Sequence, residues 1–368
     1  MTRIKIYFNQ KKEHRERQKD TVKYVPKEIE LIGKEKVELN NIEVFKYHNN
    51  YWRSKFVKLM TKLPLLNLRK IPVKHKKADY VCVWGLIPLN SKKPFVIELD
   101  NPYSLTFYKK FAFKLYKPII KKILKSKKCH KIVCISEACK LKTIYLLGKE
   151  IENKIIVQYP YMKRLPQSPK HKKINYLFIG FDFKGKGGIE LLNAFKKANL
   201  NNSSLNIIGP DKPKIKNNKN INWLGKIDRK QILSKELQKN DILCFPTYYE
   251  SLGLVALEAV SAGLGIITTN TFALPELVKD NGILLNNPFL KPKTIVGKKL
   301  IDPTDLTIRQ FKKKYKKKMP SKKLTDELVK ALKESEKKYE DWKENSIKLY
   351  ETKFSEKIWK ENFLKIFE

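Results

Sequence analysis

Short, nearly continuous apolar runs alternate along most of the chain with longer segments in which apolar residues recur every three or four positions. The first pattern belongs to strands buried on both faces of a parallel sheet, the second to helices laid over such a sheet. Strands are expected at Ile4–Phe8, Tyr80–Trp84, Phe95–Leu99, Lys131–Ile135 and Lys154–Gln158, then at Asn175–Ile179, Leu205–Ile208, Ile221–Leu224, Ile242–Phe245 and Ile266–Thr268. Helices are expected at Ile189–Lys197, Arg229–Gln238, Leu254–Ala262, Leu324–Tyr350 and Glu356–Phe367. Between the two arrays, Gln158–His171 is rich in proline and basic residues and reads as a linker. The fold class expected is therefore α/β, with two doubly wound, Rossmann-like domains facing one another. The boundaries expected are 1–160 for the first domain, 161–173 for the linker and 174–345 for the second, with a C-terminal helix at 346–368 returning to the first.

At 368 residues and 42% hydrophobic content the chain can fill two cores. It contains no run of eighteen apolar residues, and its start reads as a strand rather than a signal peptide, so a soluble cytoplasmic protein is expected. Five cysteines occur without a CxxC pair, and Cys134 sits in an apolar strand pattern, so reduced structural thiols are expected and zinc is not. The formal net charge of +42 calls for an anionic partner, membrane surface or polymer, although compositional drift toward lysine explains part of it. Only eight of the 79 basic residues are arginine, and no zinc-finger, RRM or helix-turn-helix pattern appears, which argues against sequence-specific nucleic-acid binding.

Two basic segments refine that picture. From Tyr108 to Leu124 apolar residues fall at helical spacing among seven lysines out to position 125, with Pro118 expected to bend or interrupt the helix. The segment is either a helix packed on the first sheet with a solvated lysine face, or an interfacial helix on an anionic membrane. The stretch 289–323, with its lysine-rich core at 311–318, reads as a solvated loop or exposed helix, or as a docking surface for anionic lipid or polymer.

Chemistry concentrates in the second array. After the strand ending at Gly180, the turn Phe181-Asp-Phe-Lys-Gly-Lys-Gly187 leads into a helix. Glycines there allow close backbone approach, the helix start adds partial positive charge, and Lys184 and Lys186 add full charges, as a phosphate site requires. A tight strand-to-helix turn would use the same glycines. The segment Phe245-Pro-Thr-Tyr-Tyr-Glu-Ser-Leu-Gly-Leu-Val-Ala-Leu-Glu258 places Glu250 in a strand-to-helix loop and Glu258 about one turn inside the helix. A carboxylate there can accept from vicinal ribose hydroxyls.

These residues, with Ile207-Ile-Gly-Pro210, Trp223-Leu-Gly225 and Glu258-Ala-Val-Ser-Ala-Gly263, resemble the C-terminal half of retaining glycosyltransferases of family 4. The resemblance covers roughly residues 130–285 and is specific in its pair of glutamates with seven residues between them. It implies a GT-B fold, a first domain that binds the acceptor, and sugar transfer from a nucleotide-diphosphate sugar to a glycan, lipid-linked or other acceptor. It further implies retention of anomeric configuration, no cofactor and no obligatory metal. By position, Glu258 resembles the ribose-binding glutamate and Glu250 the one facing the donor sugar. Lys186, with Lys184 and Gly180, would meet the diphosphate, Ile227 the base, and the backbone N–H groups of Ser251, Leu252, Gly253, Leu254 and Val255 the sugar hydroxyls and diphosphate.

The chain departs from that pattern at three places. Phe181 stands where many relatives have an arginine, Asn9–Glu13 where they have a Gly-Gly turn, and none of the five histidines fits the one that faces the reacting carbon. Asp100 or Asn101 is the substitute expected for that histidine; the alternative is a turn residue capping a helix near Tyr103. Other readings are a nucleotide-sugar epimerase or another enzyme on this fold, and a non-enzymatic binder of membranes or polyanions.

Overall fold

The computed structural model describes residues 3–8, 16–32, 68–72, 77–89, 91–209, 219–295, 298–303, 306 and 308–368. Asn9–Glu13, His14, His48, His75 and Pro210 lie outside them. The chain forms two compact units. The first comprises Met1–Ile135, Cys139–Gln158 and Asn362–Glu368, the second Ser136–Ala138 and Tyr159–Glu361.

The first unit is built on β1 (Ile4–Phe8), β2 (Ile29–Leu31), β3 (Lys70–Pro72), β4 (Tyr80–Trp84), β5 (Ile87–Leu89), β6 (Phe95–Leu99), β7 (Cys129–Cys134) and β8 (Ile155–Val157), with helices α1 (Glu16–Lys23), α2 (Lys110–Lys125) and α3, whose range Glu137–Leu147 begins in the second unit. Six strands form one parallel sheet in the order β2-β1-β4-β6-β7-β8, and β3 pairs with β5 separately. Val83, Ile97 and Ile132 stand in register across β4, β6 and β7 and are buried, as continuous apolar runs demand.

Helix α2 runs through Pro118 without interruption, so of the two outcomes expected there, a bend or a break, the break does not occur. Pro118 lies on the exposed side, where water can satisfy the carbonyl that loses its N–H partner. At the amino ends of β4 and β7 the His130 ring packs on Tyr80 at 4.7 Å, and Tyr80 also meets Phe367.

The second unit carries β9 (Ile174–Ile179), β10 (Ser203–Ile208), β11 (Ile221–Gly225), β12 (Ile242–Phe245), β13 (Gly265–Thr269) and β14 (Gly282–Leu285), all parallel, in the order β11-β10-β9-β12-β13-β14. Counted within this sheet the order is 3-2-1-4-5-6, the dinucleotide-binding arrangement, whose direction of winding switches between β9 and β12. Loops leaving the carboxyl ends of those two strands therefore border the crevice where such sheets bind ligands.

Helix α4 (Gly188–Ala198) follows β9 and α5 (Leu254–Ser261) follows β12. A hairpin of β15 (Lys293–Ile295) and β16 (Lys298–Leu300) and then α6 (Ile308–Tyr315) precede the long α7 (Lys322–Leu349) and the final α8 (Glu356–Leu364). Helix α7 closes the core over Tyr176, whose hydroxyl meets Ser335 Oγ at 2.8 Å. The lysine-rich stretch is thus ordered: Phe311 and Tyr315 are buried, while Lys312–Lys314 and Lys316–Lys318 are exposed.

The helix expected at Arg229–Gln238 forms irregularly, as three α-helical residues, a π-turn at Ile232–Glu236 and a 3-10 turn at Leu237–Lys239. The wide turn brings Ile232, Glu236 and Leu237 together on the buried side. All five cysteines are buried free thiols. Burial pushes the Cys129 thiol up to about 12, so it is inert at neutral pH.

Candidate functional site

The turn after β9 owes its shape to glycine. A side chain at Gly180 would lie 2.9 Å from the Phe178 ring, and one at Gly209 would lie 3.0 Å from the Gly180 carbonyl. Gly187 has φ +75°, and a Cβ there would collide with the backbone carbonyl of Pro246 at the exit of β12. The turn closes through Lys186 N–H to the Asp182 carbonyl at 2.8 Å and Gly188 N–H to the Phe183 carbonyl at 2.8 Å. Tyr248 N–H donates to the Gly185 carbonyl at 3.1 Å, joining the turn to the loop after β12.

That seam brings Lys186 and Glu250 together. Lys186 Nζ donates to Glu250 Oε2 at 2.9 Å and to the Tyr249 carbonyl at 3.0 Å, and it lies 4.7 Å from the Tyr249 ring centroid. Glu250 Oε1 accepts from Ser251 N–H at 2.9 Å. The loop is braced from below. Tyr248 donates its hydroxyl proton to Glu190, Ser321 N–H also reaches Glu190 at 2.9 Å, and Asn287 Nδ2 donates to the Tyr248 carbonyl at 2.9 Å.

Gly253, with φ +84°, turns the chain into α5, where a Cβ would come within 2.7 Å of the Leu274 side chain. Leu254 and Val255 begin the helix, so their N–H groups have no intrahelical carbonyl to meet. Leu252 and Gly253 are buried and Ser251 is half-buried. Glu258 is buried in the second turn and accepts from Arg229 Nε at 2.7 Å. Each of the two glutamates is therefore matched to a cation from a neighbouring loop.

Sequence reasoning gave Arg229 no role. Its signal is Asp228, whose side chain accepts from Gln231 N–H at 3.0 Å and so caps the short helix that presents Arg229. Ile227 is half-buried in the same loop. Lys184 does not join the pair at Lys186 and Glu250; its Nζ reaches toward the Lys316 carbonyl at 3.5 Å.

Asp100 and Asn101 belong to the first unit and are buried there. Asn101 Oδ1 accepts from Tyr103 N–H at 3.0 Å, the capping arrangement that is the alternative reading of this turn. Asp100 Oδ2 accepts from the Tyr108 hydroxyl at 2.6 Å and lies 3.7 Å from Arg17.

Comparison with known proteins bears on this arrangement. Residues 163–300 match the family model described as glycosyl transferases group 1. A Klebsiella pneumoniae protein, "Uncharacterized 41.2 kDa protein in cps region", is 39% identical over 31% of this chain and 33% of its own length. The lipopolysaccharide glucosyltransferase WaaG of Escherichia coli is 29% identical over 36% of this chain and 41% of its own. The chain thus spans about a third to two fifths of these relatives.

Similarity to solved structures extends further along the chain. A crystal structure of WaaG superposes with TM-score 0.55 at 16% identity, covering 99% of this chain and 98% of that one. Anabaena Alr3699/HepE, crystallised with UDP and glucose, gives TM-score 0.58 at 11% identity, covering 99% of both chains. Identities this low establish architecture alone, and that architecture is the GT-B fold with its two Rossmann-like α/β domains.

Proposed function

We propose that the protein is a glycosyltransferase that moves a sugar from a nucleotide-diphosphate donor to a glycan or lipid-linked acceptor, with retention at the anomeric carbon. The observation that carries the reading is the pairing of Glu250 with Lys186 across the two loops that border the switch point of the second sheet, together with that of Glu258 in α5 with Arg229 on the short helix after β11. A nucleotide-diphosphate sugar presents the complementary groups there: vicinal hydroxyls for the carboxylates and phosphate oxygens for the cation and the free N–H groups of the first helical turn.

In this reading Glu258 accepts from the ribose hydroxyls while Arg229 holds its carboxylate in place. Glu250 accepts from hydroxyls of the donor sugar. As the anomeric C–O bond breaks, its electron pair passes to the diphosphate oxygen. Lys186 and the N–H groups of Leu252, Gly253, Leu254 and Val255 meet the charge that develops, the role a divalent metal plays in other transferases. The setting proposed is the cytoplasm, with the inner face of a membrane as the alternative.

UDP-glucose is the first donor to test, since the HepE structure holds UDP and glucose and WaaG is named a glucosyltransferase. Calorimetric titration of wild type and Glu258→Ala with UDP-, GDP- and ADP-sugars is expected to find one donor series that binds, weakened at least about tenfold by the substitution, as loss of hydrogen bonds to a charged group implies. Unchanged affinity in the variant would sink the ribose assignment. NMR assignment of the product anomer decides retention, and incubation with donor alone separates transfer from epimerisation.

A further inference from the structure

Every fourth residue from Phe311 to Met319 is apolar and buried, and all the others are exposed lysines. Phe311, Tyr315 and Met319 join the core of the second unit, while Lys312–Lys314 and Lys316–Lys318 form a ridge over it. Between Asp305 and Asp326 the sequence holds eight lysines, one arginine and no acidic residue. Like charges this dense repel and favour a disordered chain, yet the run is ordered as α6 and the 3-10 turn Lys316–Lys318.

Aromatic burial supplies the ordering, and it ties the ridge to the candidate donor loop. Phe289 stacks on Tyr315 and on Tyr248, each at 4.8 Å, and the Tyr315 hydroxyl donates to the Phe289 carbonyl at 2.9 Å. Phe311 lies 5.5 Å from the Tyr249 ring. Tyr248 and Tyr249 directly precede Glu250, and the Tyr249 ring lies 4.7 Å from Lys186 Nζ. The turn after β9 is joined to the ridge as well. Lys312 pairs with Asp182 at 2.8 Å, and Lys184 Nζ reaches toward the Lys316 carbonyl.

A nucleotide-diphosphate donor does not need this ridge. Its two phosphates are met by Lys186 and the free N–H groups at the start of α5, and further cations exceed what they can neutralise. A fitting partner carries negative charges in series. The ridge's own surface selects among such partners. Stable attachment to a bilayer takes an inserted apolar group besides charge, and the apolar side chains of Phe311, Tyr315 and Met319 are turned inward. Single-stranded nucleic acid is gripped by stacking on exposed aromatic rings, and those of Phe311 and Tyr315 are buried. A glycan bearing carboxylates or phosphates along its length needs neither. Lysine, a compact charge on a flexible stem, suits it, because such a chain offers charge without one fixed planar geometry.

We propose that the lysine ridge of α6 and the following turn docks an anionic glycan beside the donor turn. Under the transfer reading, on which this assignment of role rests, that glycan is the acceptor chain. The docking itself is read without any donor.

The test is titration of the full chain with oligogalacturonate of about ten residues, one carboxylate per sugar, and with a neutral dextran oligomer of the same length, at low salt and at about 0.2 M sodium chloride. At low salt wild type is expected to bind the galacturonate at least about tenfold more tightly than dextran, and to lose that preference as salt rises. K313Q/K316Q/K317Q/K318Q should lose at least about tenfold in galacturonate affinity, whereas K330Q/K333Q/K337Q/K348Q, which removes the same charge from α7, should lose less than about threefold. All the substituted positions are exposed, and unaltered circular dichroism and melting show that both variants fold. Equal binding of the two glycans overturns the proposal. Equal losses in the two variants also overturn it, since net charge would then suffice. So does tighter binding, at matched charge, to single-stranded DNA or to phosphatidylglycerol vesicles, if the first variant abolishes it. The Glu258→Ala titration with donor reads the transfer reading separately, so failure of one is not failure of the other.

Discussion

Lys186 is the residue on which the site's charge balance turns. Its ammonium touches the Glu250 carboxylate, the Tyr249 carbonyl and an aromatic face, so its position is fixed before any donor arrives. A preorganised cation loses little on meeting a developing anion, and Lys186→Ala is expected to lower kcat by about 10²–10³-fold, the cost of removing one such stabilising group. Steady-state kinetics with the best donor checks this, and a change confined to KM would assign Lys186 to ground-state binding instead. Lys186 and both glutamates were legible because fixed spacing to glycines and apolar runs marks them. Arg229 was not, since its ion pair with Glu258 joins the short helix after β11 to α5, and the Asp228 cap marks that helix but not the pairing. His130 offers a second check at this scale. Burial and the neighbouring Lys131 charge hold its pKa below the ordinary histidine value, and its buried Nε2 has no hydrogen-bond partner among the described residues. The unfolded chain therefore binds the proton more readily: the stability contributed is fully present above the ordinary histidine pKa and is lost as pH falls through the folded value. Melting temperatures of wild type and His130→Gln should converge, or cross in favour of the variant, between about pH 7.5 and pH 5, the range in which histidine titrates. A constant difference would show that protonation of His130 is not coupled to folding.

At the level of elements, strands were the most legible part of the fold. β4, β6, β9 and β12 are unbroken or nearly unbroken apolar runs, and all are central strands of parallel sheets. Helices tolerated more than their patterns implied. Pro118 stays within α2 because its missing N–H falls on the wet side, and the segment from Arg229 to Lys239 winds through a π-turn to bury residues that a regular helix would spread around its axis. Neither outcome is written in local propensity; tertiary contacts decide both. The glycine turn after β9 was recognised, though not how it closes. Gly187 takes a left-handed φ and lies against the Pro246 carbonyl, so it locks the loop after β9 to the one after β12. Gly187→Ala adds both strain and collision with backbone that cannot rotate away, and it should cost about 2–4 kcal/mol of stability. Because the same contact sets Lys186 beside Glu250, donor affinity should fall with it. Urea unfolding and calorimetry on one preparation measure both, and a stability loss with intact donor binding would mean that the turn is not part of the donor site.

For the molecule as a whole the dominant fact is charge. With 79 basic against 37 acidic residues, most lysines have no carboxylate available to them, and among the described residues most of the ion pairs lie at the surface, where each contributes little. The native state gathers the +42 charge into a far smaller volume than the unfolded chain does, so self-repulsion opposes folding. Salt screens that repulsion together with the few favourable surface pairs, and the imbalance between the two counts decides the sign. Raising sodium chloride from about 0.01 M to about 0.1 M shortens the Debye length from about 30 Å to about 10 Å, and the melting temperature is expected to rise. Chloride suits this measurement, since sulfate or phosphate could bind at the Lys186 turn and stabilise by mass action instead. A melting temperature that falls with salt would mean that ion pairs such as Arg229–Glu258 and Lys186–Glu250 outweigh the repulsion, and the lysine excess would then be neutral to folding. A rise, by contrast, leaves a protein whose positive surface is costly on its own and relieved by an anionic one.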